Sequence, residues 1–474
     1  MKLVHRMTLA AVAGLFAPFA VAADLLVPQD FPTIQAAVDQ AGDGDRVLIS
    51  PGRYVESVDV AGKQITIEGE SGAEVTELAG EGAVGFLLRV DGAGSQLELR
   101  GLRLTGGFGE AGSDGAGPGG GLLVDGAAVS VHDCEFVDNA GITGGAIQVI
   151  GGSLAVQNSR FAGNTALHGG AIFLEASAGS IVDSEFSNNE ATNFGGALAV
   201  FVSDEFVLRD TELTDNTAGS FGGALYTQHA HLDLSGLLAV GNGRAEFTEH
   251  GGWVIQTSGG GAVYATESTG RIQASRFREN VAAAGSALYI AGDGELELVN
   301  NLMAQNGNEC NCGQGVVYAN SASPILVNNT IVDNGGLFGL FTTYNAFPVV
   351  RNSILATRPE GSGPFAPVGG NGLSDVDFSL LQGQSGGAEL GGSTVVVEQF
   401  PSLDLQGDYA PLEGSVVVDA GSNEAVPADI TSDLLGNARI VAGSGEEAIV
   451  DLGAIELVPA AVSDTIMHHR FSID

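Results

Sequence analysis

The chain has 474 residues, of which 72 are glycine and only 14 are proline, and 44% are hydrophobic. This apolar share can build a core, which excludes a disordered chain, and the glycines have no Gly-X-Y period, which excludes collagen. Acidic residues outnumber basic ones by 57 to 18, so the formal net charge is −39. This charge makes nucleic acid and anionic membranes poor partners, and it favours divalent cations or cationic partners.

The first 22 residues have the pattern of a secretory signal peptide. Lys2, His5 and Arg6 precede an apolar run that ends in the small-x-small sequence Ala20-Val21-Ala22. We expect residues 1–22 to be removed on export, and the loss of Lys2 and Arg6 then leaves 16 basic against 57 acidic residues, a formal charge of −41. No later stretch reaches the length of an uninterrupted apolar span, so the mature chain is expected to have no membrane helix.

Residues 32–41 form the one good helical pattern of the chain. Phe31, Ile34, Val38 and Ala41 recur on one face, and a proline suits the first helical turn. Because natural proteins cover the open edge of a sheet, we expect this helix to cap the fold that follows.

A repeat of about 25 residues fills the middle of the chain. In each copy a Phe-x-x-Asn or Leu-x-x-Asn sequence is followed, five or six residues later, by a glycine pair or Gly-Ser, then alanine and an aliphatic residue. Short alternating runs with no helical period lie between these motifs, and they predict strands. Repeats made only of strands predict an all-β protein, a parallel β-helix whose turns stack at ~4.8 Å, with at most ~17 turns.

The repeated residues fall into columns with separate structural tasks. The Phe or Leu of the motif and the small residue two positions earlier are both expected to face the core. The asparagines are expected to form a hydrogen-bonded ladder between turns, and asparagine also tolerates left-handed backbone. The glycine pair indicates a corner with positive φ or a close approach of two turns. The columns are Phe136, Phe161, Phe186, Leu213 and Phe277; Cys134, Ser159, Ser184, Thr211 and Ser275; and Asn139, Asn164, Asn189, Asn216 and Asn280.

Cysteine usage is too low for a disulfide framework, although export implies an oxidising compartment. Cys134 belongs to the small inward column and is expected to be structural. Cys310 and Cys312 are two residues apart, where a disulfide is possible but strained. Zinc would need further ligands that this neighbourhood does not offer.

The end of the chain has motifs of its own. Residues 407–415 contain Gly-Asp-Tyr-Ala-Pro-Leu, and the later runs Asp433-Leu-Leu-Gly-Asn-Ala-Arg439 and Asp451-Leu-Gly-Ala-Ile-Glu456 precede a tail at 458–474 with no anchor pattern. Residues 358–400 break the repeat, and we interpret them as a loop followed by further turns.

With these motifs in hand, the chain resembles right-handed parallel β-helix proteins of the pectin-lyase-like superfamily. The start at 31–69 is similar to their N-terminal region, the repeats resemble polymorphic outer-membrane-protein repeats, and the C-terminal motifs resemble the closing module of secreted bacterial β-helix proteins with varied anchors. The resemblance implies a right-handed parallel β-helix over residues 23–457 and an extracellular or cell-surface location. It implies no single activity, because the superfamily holds lyases, hydrolases, epimerases and non-enzymatic surface proteins.

An insertion after Asn242 is the first candidate for a binding site. The next glycine pair begins 18 residues later, at Gly260, so the loop 243–259 must project from the solenoid. It holds the only tryptophan, and a tryptophan with neighbouring polar groups can stack on a sugar ring and hydrogen-bond its hydroxyls. The alternative is a surface loop anchored by that tryptophan. The candidate ligand-binding residues are Arg244, Glu249, His250 and Trp253.

Catalytic and metal sites are less clearly indicated. Lyases of the resembled superfamily use an arginine or lysine base, often with calcium, which makes Arg276, Arg278 and His250 the candidate catalytic residues; solvated surface arginines are the alternative. His229 and His231 alternate on one strand, but no further ligand accompanies them, so no metal site is predicted. Calcium is the one cofactor that the composition suggests, through weak binding to dispersed carboxylates.

We therefore expect a secreted or cell-surface β-helix protein that is non-catalytic and binds a glycan or a surface partner through its loops. The alternative is a polysaccharide lyase or epimerase acting on an acidic polysaccharide. Two features favour the first expectation: a chain of this charge repels polyuronates unless calcium intervenes, and no recognisable catalytic cluster is present.

Overall fold

The computed structural model describes residues 22–81, 85–109, 120–247, 253–307, 314–335, 341–357, 367–383, 388–441 and 448–458, with only the backbone at 246, 247, 253 and 254. Within these ranges the chain winds into a parallel β-solenoid of twelve complete turns with a partial turn at each end. Twelve turns at ~4.8 Å give a rod of roughly 60 Å. The described residues after Val397 contain no strand, so the solenoid is shorter than the sequence allows.

Each complete turn passes through three parallel ladders, which we number in chain order. Ladders 1 and 2 belong to one sheet of 25 strands, because two long strands run through both, and ladder 3 is a separate sheet of 14 strands. The strands of ladder 1 are Val58–Ala61, Leu88–Asp91, Leu122–Asp125, Ile147–Ile150, Ile172–Glu175, Leu198–Arg209, Leu225–Ser235, Val263–Thr266, Leu288–Ala291, Val317–Asn320, Phe341–Tyr344 and Val368–Gly370.

The remaining strands complete the turns and add two small sheets. The strands of ladder 2 are Asp24–Val27, Arg46–Ile49, Gln64–Gly69, Gln96–Arg100, Ala128–His132, Ser153–Gln157, Ala178–Val182, the second parts of Leu198–Arg209 and Leu225–Ser235, Thr269–Gln273, Leu296–Val299, Ile325–Val327, Val349–Arg351, Ser374–Asp377 and Ala388–Leu390. The strands of ladder 3 are Gly52–Tyr54, Thr76–Ala79, Arg103–Thr105, Glu135–Val137, Arg160–Ala162, Glu185–Ser187, Glu212–Thr214, Leu238–Val240, Arg276–Arg278, Leu302–Ala304, Thr330–Val332, Ile354–Ala356, Leu380–Gln382 and Val395–Val397. The small sheets are Thr165–His168, Glu190–Phe194 and Thr217–Ala218, and the hairpin Ala245–Phe247 with Trp253–Ile255.

One α-helix, Ile34–Gln40, lies within the described residues, inside the segment that the pattern indicated. Thr33 precedes it and its hydroxyl accepts a hydrogen bond from Ala36 N at 3.1 Å, which satisfies one of the free amides of the first turn. The helix packs against the first strands of the solenoid. At its other end the Lys63 ammonium donates to Val38 O at 2.6 Å and to Ala41 O at 2.8 Å. A short 3-10 helix spans Asn423–Ala425.

The core runs the length of the rod and is built from the repeated columns. Phe136, Phe161 and Phe186 are fully buried, and their rings stack with centroids 5.0 and 4.5 Å apart. Cys134 is a free thiol at 1% exposure, and burial raises its pKa to about 12, so it stays protonated.

The buried asparagines hydrogen-bond from turn to turn. Asn164 N and Nδ2 both donate to Asn189 Oδ1 at 3.0 Å, and Asn164 Nδ2 also donates to Phe136 O at 2.9 Å. The left-handed residue is not the ladder asparagine but the one before it, such as Asp138 with φ 52°. The same bonding continues through Asn139, Asn164, Asn189, Asn216, Asn242, Asn280, Asn306 and Asn334.

The two glycines of each pair serve different purposes. The first takes a positive φ, as in Gly195 at 63°, which a residue with a side chain rarely adopts. The second lies against the next turn, since a Cβ on Gly196 would come within 2.0 Å of Gly223 O. Both of the reasons that the sequence suggested for glycine therefore operate, one at each position.

Residues 401–441 and 448–457, which together we name the C-terminal segment, fold back over the outer face of ladder 3. Leu302, Ile354 and Leu380 occupy the first, outward position of their strands, yet they are buried in a second apolar cluster with residues of this segment. Hydrogen bonds fix the contact, among them Tyr409 OH to Asp333 Oδ2 at 2.8 Å.

A buried charge cluster holds the C-terminal segment together. Arg439 and Glu456 are each 1% exposed, and Arg439 Nη1 lies 3.2 Å from Glu456 Oε1. Asp451 accepts hydrogen bonds from two backbone amides, and Asp433 Oδ2 accepts from Glu456 N at 2.9 Å. Burial raises the pKa of Glu456 to about 8 and also raises the pKa of Asp451.

Candidate functional site

The insertion after Asn242 forms an antiparallel hairpin at the corner between ladder 3 and ladder 1. Phe247 pairs with Trp253 across the hairpin backbone. Its base is tied to the solenoid, because Arg244 N donates to Thr257 Oγ1 at 3.3 Å, and that hydroxyl donates to Ala218 O at 2.8 Å. Arg244 is exposed.

The structure describes no side-chain contacts for three of the predicted binding residues. Glu249 and His250 lie outside the described residues, and only the backbone of Trp253 is described. The described residues of the insertion form a hairpin separate from the three ladders, and the grouping of its side chains into a site stays a prediction.

A continuous row of aromatic side chains lies on the outer face of ladder 1 beside this hairpin. Tyr226, Tyr264, Tyr289 and Tyr318 occupy the same register position in four successive strands, and their neighbouring ring centroids are 4.7 to 5.4 Å apart. Tyr226 is buried, while the other three tyrosines are partly exposed. Burial raises the pKa of the Tyr226 hydroxyl, which therefore stays protonated. Ring contacts with neighbouring phenylalanines extend this tyrosine row into a larger aromatic cluster, formed by Phe173, Phe194, Phe201 and Phe221.

A groove of about 1010 Å³ lies on the outer face of ladder 2. It follows six successive strands of ladder 2, from Arg209 to Val349, which corresponds to roughly 24 Å along the rod. One rim is the turn 292–295 between ladders 1 and 2, and the other includes Asp429 of the C-terminal segment. The groove is therefore shaped jointly by the solenoid and by the segment folded back on it.

Charged side chains line one end of the groove. Arg209 pairs with Asp233, and Arg271 pairs with Asp429 and, at 2.6 Å, with Glu297. The hydrogen bond from Arg271 holds the pKa of Asp429 below its ordinary value. These side chains neutralise one another only in part.

Two further carboxylates of the groove, Asp293 and Glu295, are exposed on the rim. Within the part of the chain that the structure describes, neither has an ion-pair partner. Their charges are available to a ligand.

The other end of the groove is apolar. Phe347 is 67% exposed and Ile325 is 41% exposed, and both line the groove together with Val349. Ser321, Ser323 and Thr269 add hydroxyls along the floor. An exposed aromatic face next to hydroxyls and charges suits a chain molecule with both polar and apolar surfaces. The sequence reasoning missed this site, because its residues come from six separate turns and from the C-terminal segment.

The two arginines proposed as catalytic are engaged elsewhere. Arg276 Nη2 lies 3.3 Å from Asp408 Oδ2, and Arg278 Nη2 lies 2.8 Å from Asp408 Oδ1. Both side chains point outward from ladder 3, where the C-terminal segment lies. In this structure the carboxylate that they clamp belongs to the chain itself.

The remaining candidates do not converge on a metal. His229 Nε2 lies 2.8 Å from Glu267 Oε2, and His231 Nδ1 lies 3.0 Å from Thr269 Oγ1. Over the described ranges, no group of three or more His, Cys, Asp or Glu residues is arranged to hold a metal ion. Cys310 and Cys312 lie outside those ranges.

Two family models match parts of the chain. The right handed beta helix region matches residues 235–363. The Chlamydia polymorphic membrane protein repeat matches residues 183–200 and 210–228. Together with the parallel ladders, these matches define the fold as a right-handed β-helix built from repeats. No curated protein matches the chain.

Several solved structures are similar at low identity. An alginate lyase complex is 11% identical over 83% of this chain and 92% of that chain, with a TM-score of 0.41. The A-module of a mannuronan C-5 epimerase from Azotobacter vinelandii is 15% identical over 77% and 92%, with a TM-score of 0.35. The catalytic domain of an alpha-1,3-glucanase in complex with tetrasaccharides is 10% identical over 80% and 68%, with a TM-score of 0.39. At these values none of them assigns an activity to this chain.

In the described parts of the chain, no helix is long and apolar enough to cross a membrane.

Proposed function

We propose that this protein is an exported, non-catalytic β-helix protein that binds a glycan at the extracellular or cell surface. In this proposal residues 1–22 are a signal peptide, residues 23–457 are the mature β-helix with its closing module, and helix Ile34–Gln40 caps the first turn. The N-terminal pattern and the repeat match at 183–228 support export and a surface location. Calcium, if it binds, does so at dispersed surface carboxylates.

The groove on ladder 2 is the single observation that carries the proposed binding. It is concave, about 1010 Å³ in volume, and it combines an exposed aromatic ring with hydroxyls and charges over several turns. Sugar rings have apolar CH faces and polar edges, so they match a surface of this composition. The hairpin residues Arg244, Glu249, His250 and Trp253 form a second binding surface in the proposal, beside the aromatic row.

A glycan panel tests the proposal directly. The mature protein would be titrated by calorimetry with neutral, acidic and amine-bearing oligosaccharides, with and without calcium. Phe347→Ala is expected to weaken binding at least tenfold, and Trp253→Ala reports separately on the hairpin. Phe108, which is 50% exposed and lies outside the groove, supplies the matched control Phe108→Ala. Absence of binding across the panel, or an equal loss in the control, would contradict glycan binding in the groove.

The same preparation also tests the alternative function. A polysaccharide lyase would produce unsaturated uronate, which absorbs in the ultraviolet, when it is mixed with acidic polysaccharides and calcium. A rise in absorbance that is lost in Arg276→Ala or Arg278→Ala would replace the binding proposal with lyase activity. We expect no rise, because Asp408 already engages both arginines.

A further inference from the structure

The charge of the groove carries information about its ligand. Five carboxylates line it against two arginines, so the side chains sum to a formal charge of −3 with the histidine neutral. Both arginines are already paired with carboxylates of the groove. The charges left without a partner are therefore negative.

These unpaired carboxylates are well placed for an incoming cation. Asp293 and Glu295 lie on the rim formed by the turn 292–295, and both are exposed. On the opposite rim, Asp429 is held in place by Arg271. A ligand lying along the groove would pass between the two rims, where a carboxylate accepts a hydrogen bond from a charged donor more strongly than from a neutral one.

We propose that the groove selects a glycan that carries protonated amines, an inference that rests on the proposed glycan binding. An acidic polysaccharide meets uncompensated negative charge there, and a neutral glycan gains nothing from the rim carboxylates. An amine-bearing glycan pairs with Asp293 and Glu295, while its ring packs on Phe347 at the apolar end. The net charge of −39 also attracts a cationic chain over longer distances.

A basic peptide is the other cationic chain molecule, and the groove suits it less well. Peptides gain affinity on a sheet by adding a strand to a free edge. The floor of the groove is the middle of ladder 2, where each strand is already paired with the turns before and after it. Only side chains are available for contact, and hydroxyl groups such as those of Thr269 and Ser323 match sugar hydroxyls.

The test compares two ligands that differ only in charge. A chitosan hexasaccharide carries amines, and the corresponding fully N-acetylated hexasaccharide does not. Calorimetry at a mildly acidic pH is expected to show the amine form binding at least about tenfold more tightly, with the difference reduced as salt screens the charges. The double substitution Asp293→Asn with Glu295→Gln is expected to remove this difference and to leave the binding of the N-acetylated form unchanged.

The control variant changes the charge of the protein by the same amount elsewhere. Asp204 and Glu205 are exposed at the equivalent junction between ladders 1 and 2 in an earlier repeat, and they do not line the groove. Asp204→Asn with Glu205→Gln is expected to keep the preference for amines. An equal loss of preference in this control would overturn the inference, because it would assign the preference to the charge of the whole protein.

The remaining outcomes separate the inference from the proposed function. Equal binding of the two hexasaccharides would overturn the selection of amines while leaving glycan binding intact. Binding of neither hexasaccharide, nor of any glycan in the panel, would overturn both. Binding of oligolysine alone, lost in the Asp293 and Glu295 variant, would identify a peptide site and overturn the inference.

Discussion

The outer face of ladder 3 differs in polarity between its early and its late turns, although the inner face is apolar in both. In the early turns the outward positions carry charges that pair between neighbouring turns, as Arg103 Nε does with Glu135 Oε2 at 2.9 Å. In the late turns the same positions hold Leu302, Ile354 and Leu380, which are buried beneath the C-terminal segment. The interior of a solenoid thus determines the repeat, while its outward residues determine where another part of the chain can lie.

The largest effect is expected from the buried charge cluster that holds the covering segment together. Arg439→Met removes the cation from a buried cluster of three carboxyl groups, those of Asp433, Asp451 and Glu456, and also removes a donor to two buried carbonyl oxygens. It should lower the free energy of unfolding by about 3–5 kcal/mol. Chemical denaturation measures this. Arg160→Met in the uncovered half is the control and should cost less than about 0.5 kcal/mol, since Arg160 is exposed. Similar losses in the two variants would contradict the difference between the regions.

Two leucines at the same position of ladder 3 test how much the C-terminal segment contributes to stability. Leu302 is buried beneath the C-terminal segment, whereas Leu238, two turns earlier in the same column, is half-exposed. Leu302→Ala should lower the free energy of unfolding by about 2–4 kcal/mol, because it removes buried contacts and leaves a cavity. Leu238→Ala should cost less than about 1 kcal/mol. Equal losses of unfolding free energy in the two variants would show that packing of the C-terminal segment on Leu302 does not contribute to stability.

The asparagine ladder should respond alike in both halves. Asn189 lies in the uncovered part and Asn306 in the covered part, and each donates to the next ladder asparagine at 2.9 Å. Asn189→Leu and Asn306→Leu should each cost about 1–3 kcal/mol, because buried backbone groups lose their partners. Thermal denaturation provides the measurement. An unchanged melting temperature for either variant would show that the asparagine ladder does not stabilise that half of the protein.

A smaller effect is expected from pH, through a buried carboxyl group in the covered half. Burial raises the pKa of Glu456 from its ordinary 4.5 to about 8, so the folded state binds this proton more tightly than the unfolded state does. The contribution of Glu456 is therefore fully present below the unfolded pKa and is lost as the pH rises through the folded pKa. Between about pH 5 and pH 8 the free energy of unfolding should fall by at least about 1 kcal/mol.

Glu456→Gln is the variant that isolates this contribution. It should flatten the dependence of stability on pH over that range, and denaturation at several pH values measures the slope. Glu185→Gln, at an exposed charge pair in the uncovered half, should leave the slope unchanged. A slope that survives in Glu456→Gln would assign the effect to another group.

The repeat made the interior predictable. A phenylalanine three residues before an asparagine recurs at nearly constant spacing, and each position meets the same environment in every turn, so one repeat explains the next. The sequence placed the aromatic core and the β-helix fold. It assigned the left-handed backbone to the asparagines themselves, whereas Asp138 and its equivalents adopt it, because the tight turn comes one residue earlier.

The site was less predictable than the core, because it is formed by contacts between residues far apart in the sequence. These contacts do not recur from one repeat to the next. Asp408 meets Arg276 and Arg278 across 132 and 130 residues, and no local pattern gives that pairing. The groove draws its lining from six turns and from the C-terminal segment. One signal was present: in Ser353-Ile354-Leu355-Ala356 the apolar residues are continuous instead of alternating, which indicates a strand buried on both faces.

The fold-back of the C-terminal segment also bears on the order in which the protein acquires its structure. Early turns contact only their neighbours and are complete once those neighbours have formed. In the proposed export, the apolar late turns stay uncovered until the C-terminal segment has crossed the membrane. During that interval the molecule exposes a contiguous apolar surface, and such surfaces drive the aggregation of folding intermediates. If the proposed export is correct, secretion yield should depend more on the C-terminal segment than on any single repeat before it.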